Sequence, residues 1–202
     1  MERYWQTFAI DALIGNFDRH AGNWGFIYNL KEDKITELAP IYDCGSSFYP
    51  QLDEKAMHGF VKDRKSLEER VKTFPTAALR IDGKKVKYHE FLLSDKGAPA
   101  RAAVATIMQS VDFTEIDNAI EGIPSISEVK RAFLHAQIDV RKDAILLPAY
   151  HLYEKELEKT AVRNLDISQP SLQDTCEEMN KASQQLASQC HDDKPTVKLT
   201  DR

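Results

Sequence analysis

The sequence has too few cysteines for a disulfide framework or a cysteine-based zinc site. Its three cysteines, Cys44, Cys176 and Cys190, are odd in number, and no two of them form a CxxC pair. The histidines are scattered and show no metal-ligand spacing either. Secreted scaffolds and zinc sites need paired cysteines, so this usage favours a protein of the reducing cytoplasm.

Long apolar runs and an excess of positive charge are also missing. No apolar run reaches the roughly eighteen residues that a membrane span needs, and no charged segment followed by an apolar one opens the chain. The formal net charge is −5. Nucleic acids and anionic membranes attract basic surfaces, so we expect no direct nucleic-acid binding and no membrane association.

The composition is that of a folded protein with a polar end. Of its 202 residues, 42% are hydrophobic and 29% are charged, which is typical of globular domains. We expect a mainly α-helical domain with a small β-hairpin over residues 1–160, followed by a polar tail over residues 161–202. The apolar residues of the tail keep nearly helical spacing and predict one amphipathic helix: Leu172, Cys176, Met179, Leu186 and Cys190.

The helical prediction for the main domain is strongest after residue 125. Apolar residues recur there at steps of three and four: Val129, Phe133, Ala136, Val140, Ala144 and Leu147. Such a stripe places apolar side chains on one face of a helix. It predicts a long helix that contributes to the hydrophobic core.

Polar residues of the types that take part in catalysis are concentrated in residues 15–24. The sequence GNFDRHAGN over residues 15–23 holds an aspartate, a histidine and two asparagines. An apolar run precedes it and an alternating apolar run follows it, which predicts a loop held between two buried elements. Loops positioned by a rigid scaffold commonly carry function.

The positions of Asp18, Asn23 and Asp43 along the chain predict a phosphoryl-transfer site. Four residues separate Asp18 from Asn23, as in kinase catalytic loops, where the aspartate accepts the hydroxyl proton and the asparagine holds Mg²⁺. The alternating run, a polar turn at residues 31–34 and a return strand predict a hairpin that brings Asp43 beside Asn23. A carboxylate and an amide oxygen are hard ligands suited to Mg²⁺.

Two motifs carry a family resemblance: Asn16-x-Asp18-x-His20-x-x-Asn23 in a catalytic loop over residues 15–24, and Pro40-x-Tyr42-Asp43 in a metal-binding segment over residues 40–47. They resemble those of HipA-like serine/threonine kinases, the toxins of bacterial toxin–antitoxin pairs. The resemblance implies a protein-kinase-like C-lobe with Asp18 and His20 as catalytic-loop residues, and with Asn23 and Asp43 binding Mg²⁺ and ATP. It also implies a protein substrate, self-phosphorylation and an antitoxin partner.

The chain departs from this family in having no recognisable N-lobe. In such kinases a loop and a lysine that cover the ATP phosphates precede the catalytic loop. Only seventeen residues precede Asp18, and they contain neither a Gly-rich loop nor a suitable lysine. We therefore expect a C-lobe without its N-lobe. It would be a fragment, one half of a split kinase completed by a second polypeptide, or an inactive remnant.

Other readings of the same residues stay open. The core Asp18-Arg19-His20-x-x-Asn23 is also similar to the catalytic loop of phosphoinositide kinases, which leaves a lipid or small-molecule kinase as an alternative enzyme. A lobe without its phosphate-covering half would instead be a non-enzymatic binding module. For His20, bracing of the loop is favoured over proton transfer. For Arg19, neutralisation of a carboxylate or phosphate and simple solvation are equally compatible with the sequence.

Overall fold

The computed structural model of the chain describes residues 2–168 and Lys181, with side chains described for residues 2–163 and Lys181. The chain divides into two compact units, residues 1–156 and residues 157–202. The amphipathic helix predicted between Leu172 and Cys190 lies outside the described residues, and the predicted boundary at residue 160 stays a prediction. Within the described part, no helix is both long and apolar enough to cross a membrane.

Helices dominate the described chain, as the sequence predicts. They are α1 (Glu2–Ile14), α2 (Glu54–Lys62), α3 (Arg64–Thr73), α4 (Tyr88–Leu93), α5 (Ala98–Ser110), α6 (Phe113–Glu121), α7 (Glu128–Arg141) and α8 (Leu147–Ser168). A π-helical segment, Lys142–Leu146, joins α7 to α8. Two antiparallel hairpins complete the described fold: β1 (Phe26–Asn29) with β2 (Lys34–Leu38), and β3 (Thr76–Ile81) with β4 (Lys84–Lys87).

The core forms around α1, which packs against α5 and α7. Helix α1 contributes apolar side chains that are almost fully buried, among them Phe8, Ala9 and Leu13. The helical stripe predicted after residue 125 is confirmed at its centre, since Phe133 and Val140 are fully buried and pack in the same cluster. The end of α1 is therefore held rigidly, and the predicted catalytic loop follows it directly.

The β1–β2 hairpin has the predicted position but not the predicted burial. Phe26 pairs with Leu38 and Asn29 with Lys34, so the two strands return the chain to its starting point. The apolar side chains are nevertheless open to solvent: Phe26 is 63% exposed, Leu30 87% and Ile35 58%. The expectation that the loop lies between two buried elements is wrong on this side. Alternation identifies an apolar face, but it does not show that the chain itself covers that face.

The β3–β4 hairpin follows from its turn residues. Asp82 and Gly83 both have positive φ, +51° and +77°, as a type I′ turn requires, and Asp-Gly is a residue pair that favours this turn. In the resulting register Ile81 pairs with Lys84, and Arg80 pairs with Lys85. The hairpin therefore sets two basic side chains directly opposite each other.

A histidine between two carboxylates makes the packing of α6 on α7 depend on pH. His135 Nδ1 lies 2.8 Å from Asp117 Oδ1, and His135 Nε2 lies 2.8 Å from Glu121 Oε1. Partial burial lowers the pKa of His135, but the hydrogen bonds with Glu121 and Asp117 outweigh it and hold the pKa above its usual value. The folded state therefore favours the protonated imidazole, in which both ring nitrogens donate.

We expect His135→Gln to destabilise the protein more at low pH than at high pH. A raised pKa in the folded state gives stability that is fully present below the unfolded value of about 6.5 and is lost as pH rises through the folded value. The melting-temperature difference between wild type and variant should shrink between about pH 6 and about pH 8. Thermal unfolding of both proteins across this range measures it, and a constant difference would contradict the assignment.

Candidate active site

The predicted catalytic loop begins at Gly15, a position where any side chain would be strained and crowded. Gly15 ends α1 with φ +67°, and a Cβ on it would lie 2.5 Å from the Arg141 guanidinium carbon. Arg141 is fully buried and donates hydrogen bonds to the carbonyl of Ala12 (3.2 Å), to Gln137 Oε1 (3.0 Å) and to the Tyr49 hydroxyl (2.9 Å). The last turn of α1 and the start of the loop are thus fixed by an arginine from α7.

Asn16 determines how the loop turns toward Asp18. Its side chain is fully buried; Nδ2 donates to Asp11 Oδ1 (3.0 Å), and Oδ1 accepts from the Asp18 backbone N–H (3.2 Å). The Asn16 carbonyl accepts from the Tyr88 hydroxyl at 3.0 Å. With these groups satisfied, the loop has one defined course, and it leaves the Asp18 carboxylate exposed.

Arg19 connects α1 to the predicted metal-binding segment. It is only 6% exposed and forms a two-pronged ion pair with Asp11, with Nε–Oδ2 and Nη2–Oδ1 distances of 2.9 Å each. Its Nη1 donates to the Tyr42 carbonyl at 2.6 Å, and its Nη2 lies 3.4 Å from Cys44 Sγ. Hydrogen bonding to Asp11 raises the pKa of Arg19 above its usual value. Of the two possibilities for Arg19, the structure selects neutralisation of a carboxylate.

Asp11 is the important residue that sequence reasoning missed. Its side chain is 2% exposed and joins Arg19 to Asn16. The available signal was one carboxylate within the apolar run FAIDALI of α1, where an acid cannot be buried without a partner. That signal predicts a buried ion pair, but it does not name the partner.

Asn23 and Asp43 lie together, as the hairpin predicts. Asn23 ends the 3₁₀ turn Ala21–Asn23, is nearly fully buried, and donates through Nδ2 to Asp43 Oδ2. A hydrogen bond from the Ala39 N–H to the Gly25 carbonyl (2.9 Å) extends the hairpin pairing toward this pair. Asp43 is exposed and has φ +56°, a conformation that a residue other than glycine adopts at some energetic cost.

His20 caps the loop rather than facing a proton-transfer partner. Its Nδ1 accepts a hydrogen bond from the Gly22 N–H at 3.1 Å, which caps the turn that ends at Asn23. The Gly22 carbonyl in turn accepts from the Tyr42 hydroxyl at 3.0 Å. His20 and Tyr42 thereby hold the turn from its two sides, which agrees with the bracing role favoured by the sequence.

A cavity of about 350 Å³ opens beside Asp18. Its aromatic lining comes from α1, the loop and α4: Tyr4, Phe8, Phe17, Trp24 and Tyr88. Arg80 and Lys85 contribute cations to its wall, while Asn23 and Asp43 do not line it. The Asn23–Asp43 pair therefore lies outside the cavity that Asp18 lines.

Comparison with known proteins identifies the fold and the loop together. Residues 1–115 match the family model described as the HipA-like C-terminal domain. The chain belongs to the HipA-like family. Both motifs that carry the resemblance, in residues 15–24 and in residues 40–47, fall within the matched region.

A sequence comparison and a structure comparison both match the chain to a kinase of Helicobacter pylori. The chain is 37% identical, over 144 residues, to the serine/threonine-protein kinase CtkA of Helicobacter pylori strain J99. The aligned region is 71% of this chain and 44% of CtkA. The crystal structure of a Helicobacter pylori proinflammatory kinase CtkA matches with a TM-score of 0.71 and 35% identity, over 75% of this chain and 55% of that one. The predicted kinase-like fold is confirmed, and the chain spans about half the length of these relatives.

The Asn23–Asp43 pair of this HipA-like lobe fits a hard divalent cation. Asn23 Oδ1 is buried without a hydrogen-bond partner, next to the Asp43 carboxylate that Nδ2 contacts. An amide oxygen and a carboxylate suit such a cation. No cluster of three or more histidine, cysteine, aspartate or glutamate side chains able to hold a metal occurs among the described residues. A cation at Asn23 and Asp43 would therefore need further oxygen ligands from a phosphate-bearing ligand or from water.

Proposed function

We propose that this HipA-like lobe transfers the γ-phosphate of ATP to a serine or threonine hydroxyl of a protein substrate, with Mg²⁺ as the metal. The observation that carries the proposal is the buried Asn23 Oδ1, which lacks a partner beside the Asp43 carboxylate. An unsatisfied buried oxygen costs free energy unless a ligand satisfies it. The printed name of the relative CtkA, a serine/threonine-protein kinase, supports the same chemistry.

Each residue of the loop has a separate task in this proposal. Asp18, exposed at the mouth of the cavity, orients the acceptor hydroxyl and takes its proton. Asn23 and Asp43 provide oxygen ligands for Mg²⁺, which neutralises phosphate charge when it is bound. His20 braces the turn that positions Asn23. Catalysis is then mainly the positioning of groups and the neutralisation of charge.

The exposed face of the β1–β2 hairpin supports an N-lobe as partner. Phe26, Leu30 and Ile35 are more than half exposed, and several exposed apolar side chains on one hairpin are typical of an interaction site. We propose that an N-lobe covers this face and supplies the loop and lysine that contact the ATP phosphates. Membership of the HipA-like family makes an antitoxin a second candidate partner, a toxin role its consequence, and the cytoplasm the expected location.

Calorimetric titration of the purified chain with ATP in the presence of Mg²⁺ tests the metal assignment. We expect Asp43→Ala to remove the heat of binding. The matched control is Asp33→Ala, because Asp33 is also an exposed aspartate with positive φ, +50° against +56°, and lies in the hairpin turn away from the site. Circular dichroism checks that both variants fold.

Three results of the titration have different meanings. Loss of binding in Asp43→Ala alone supports the proposal. Wild-type binding by Asp43→Ala contradicts the metal assignment. Absence of ATP binding in every protein, wild type included, argues against a nucleotide site on this chain by itself, as expected for half a kinase. Absence of binding also after addition of the N-lobe partner would favour the non-enzymatic binding module.

A further inference from the structure

The cavity beside Asp18 gives an acceptor hydroxyl a route to the Asp18 carboxylate. In phosphoryl transfer the attacking and leaving oxygens lie roughly in line, on opposite sides of phosphorus. Asp18 lines the cavity, whereas Asn23 and Asp43, the proposed ligands on the nucleotide side, do not. A hydroxyl that reaches Asp18 through the cavity therefore approaches through a space that the proposed metal ligands do not line.

The charge on the cavity wall differs in sign from that of the whole chain. The chain carries a formal net charge of −5. In the cavity, Asp11 is neutralised by its ion pair with Arg19, so Asp18 faces the two cations Arg80 and Lys85. Neither cation forms an ion pair with a described residue, and both are exposed. They lie opposite each other in the register of β3 and β4 and form one basic patch.

The floor of the cavity is aromatic and suits one apolar side chain. Tyr4 and Trp24 stack with their ring centroids 5.7 Å apart, and the buried rings of Phe8 and Tyr88 lie 5.0 Å apart. A volume of about 350 Å³ is at the lower end for ligand pockets, which span about 300–1,000 Å³. The cavity therefore has room for a side chain and its neighbouring backbone.

We propose that this cavity binds the acceptor segment of the protein substrate. The segment presents a serine or threonine hydroxyl to Asp18, packs an apolar side chain against the aromatic lining of the cavity, and pairs an acidic side chain with Arg80 and Lys85. The proposal rests on the proposed kinase function and adds to it a substrate class: serine or threonine flanked by an apolar and an acidic residue.

Peptide binding without nucleotide tests this substrate class separately from catalysis. The probe is an array of peptides with a central serine, in which one leucine and one glutamate are moved through the flanking positions. A second array carries lysine in place of glutamate. The purified full chain is applied without ATP or Mg²⁺, and affinities of the best peptides are then measured in solution by fluorescence anisotropy.

Charge reversal at one of two neighbouring lysines provides the matched control. Lys85→Glu places a carboxylate in the cavity wall, whereas Lys84→Glu makes the same change at an exposed β4 position that does not line the cavity. We expect the wild type and Lys84→Glu to prefer the glutamate peptides. Lys85→Glu should weaken their binding on the order of fivefold, which is the scale of a partly exposed ion pair.

The possible outcomes separate this inference from the kinase proposal. Equal affinities of the wild type and Lys85→Glu for the glutamate peptides would overturn the acidic preference. Failure of the wild type to bind any peptide of either array would overturn the acceptor site. Selective peptide binding together with absent ATP binding, the N-lobe partner being present in the ATP titration, would support the peptide site and contradict the kinase proposal instead.

Discussion

Replacing Asp18 with asparagine is expected to abolish the proposed phosphoryl transfer by the chain combined with the proposed N-lobe, while Mg²⁺-dependent ATP binding is retained. Asparagine keeps the size of the side chain and the backbone hydrogen bond to Asn16, but it cannot accept the hydroxyl proton. Loss of a positioned general base costs roughly 10²–10⁴-fold in rate. Transfer of labelled phosphate to protein measures the loss, and calorimetry measures the retained binding.

The comparison for Asp18→Asn is another exposed carboxylate lost in the same way. Asp95→Asn removes a charge from an exposed position outside the loop and the hairpin and should leave the transfer rate unchanged. If Asp18→Asn turned over at the wild-type rate, Asp18 would not be the base. If it lost ATP binding as well, the carboxylate would belong to the nucleotide side of the loop.

Replacing Asp11 with leucine is expected to destabilise the folded protein by about 3–5 kcal/mol. The substitution leaves the Arg19 guanidinium buried without its counter-charge and removes the acceptor of the Asn16 side chain. An uncompensated buried charge is the costly part, more than the lost attraction itself. Urea unfolding of wild type and variant, compared at equal slope, measures the change.

The double variant Asp11→Leu with Arg19→Met separates charge from packing. Because it removes both charges, it should be more stable than Asp11→Leu alone. It should still transfer phosphate poorly, because the hydrogen bond from Arg19 to the Tyr42 carbonyl is lost and the segment that carries Asp43 is held less firmly against the loop. A double variant as unstable as the single one would show that Arg19 is not left uncompensated in Asp11→Leu.

Two buried arginines hold the loop that carries the predicted site residues. Asp18 and Asp43 are exposed and Asn23 is buried, and the distances between the three side chains depend on the arginines packed under the loop. Arg19 connects α1, the catalytic loop and the segment after Tyr42, while Arg141 holds the turn at Gly15. Stability and activity are therefore expected to change together at these two arginines.

The loop and its partner segment were predictable because their signals are local. The Asp18–Asn23 spacing, the length of the β1–β2 hairpin and the Asp82-Gly83 turn all depend on residues close in sequence. The structure places Asn23 against Asp43 as that hairpin predicts. The burial of β1 and β2 was predicted wrongly, because alternation describes the strand and says nothing of what lies over it.

By itself, the sequence determined the helical class, the two hairpins and the position of the predicted catalytic loop. Periodicity and turn chemistry act over a few residues, so these features can be read locally. Only the tertiary structure decided which charges are buried together and what lies beside Asp18. Separate elements are joined by the Asp11–Arg19 pair and by the packing of Arg141 on Gly15, and Asp18, Arg80 and Lys85 line one cavity from different elements. Their partners are selected by how the helices and hairpins pack, which local sequence patterns do not specify.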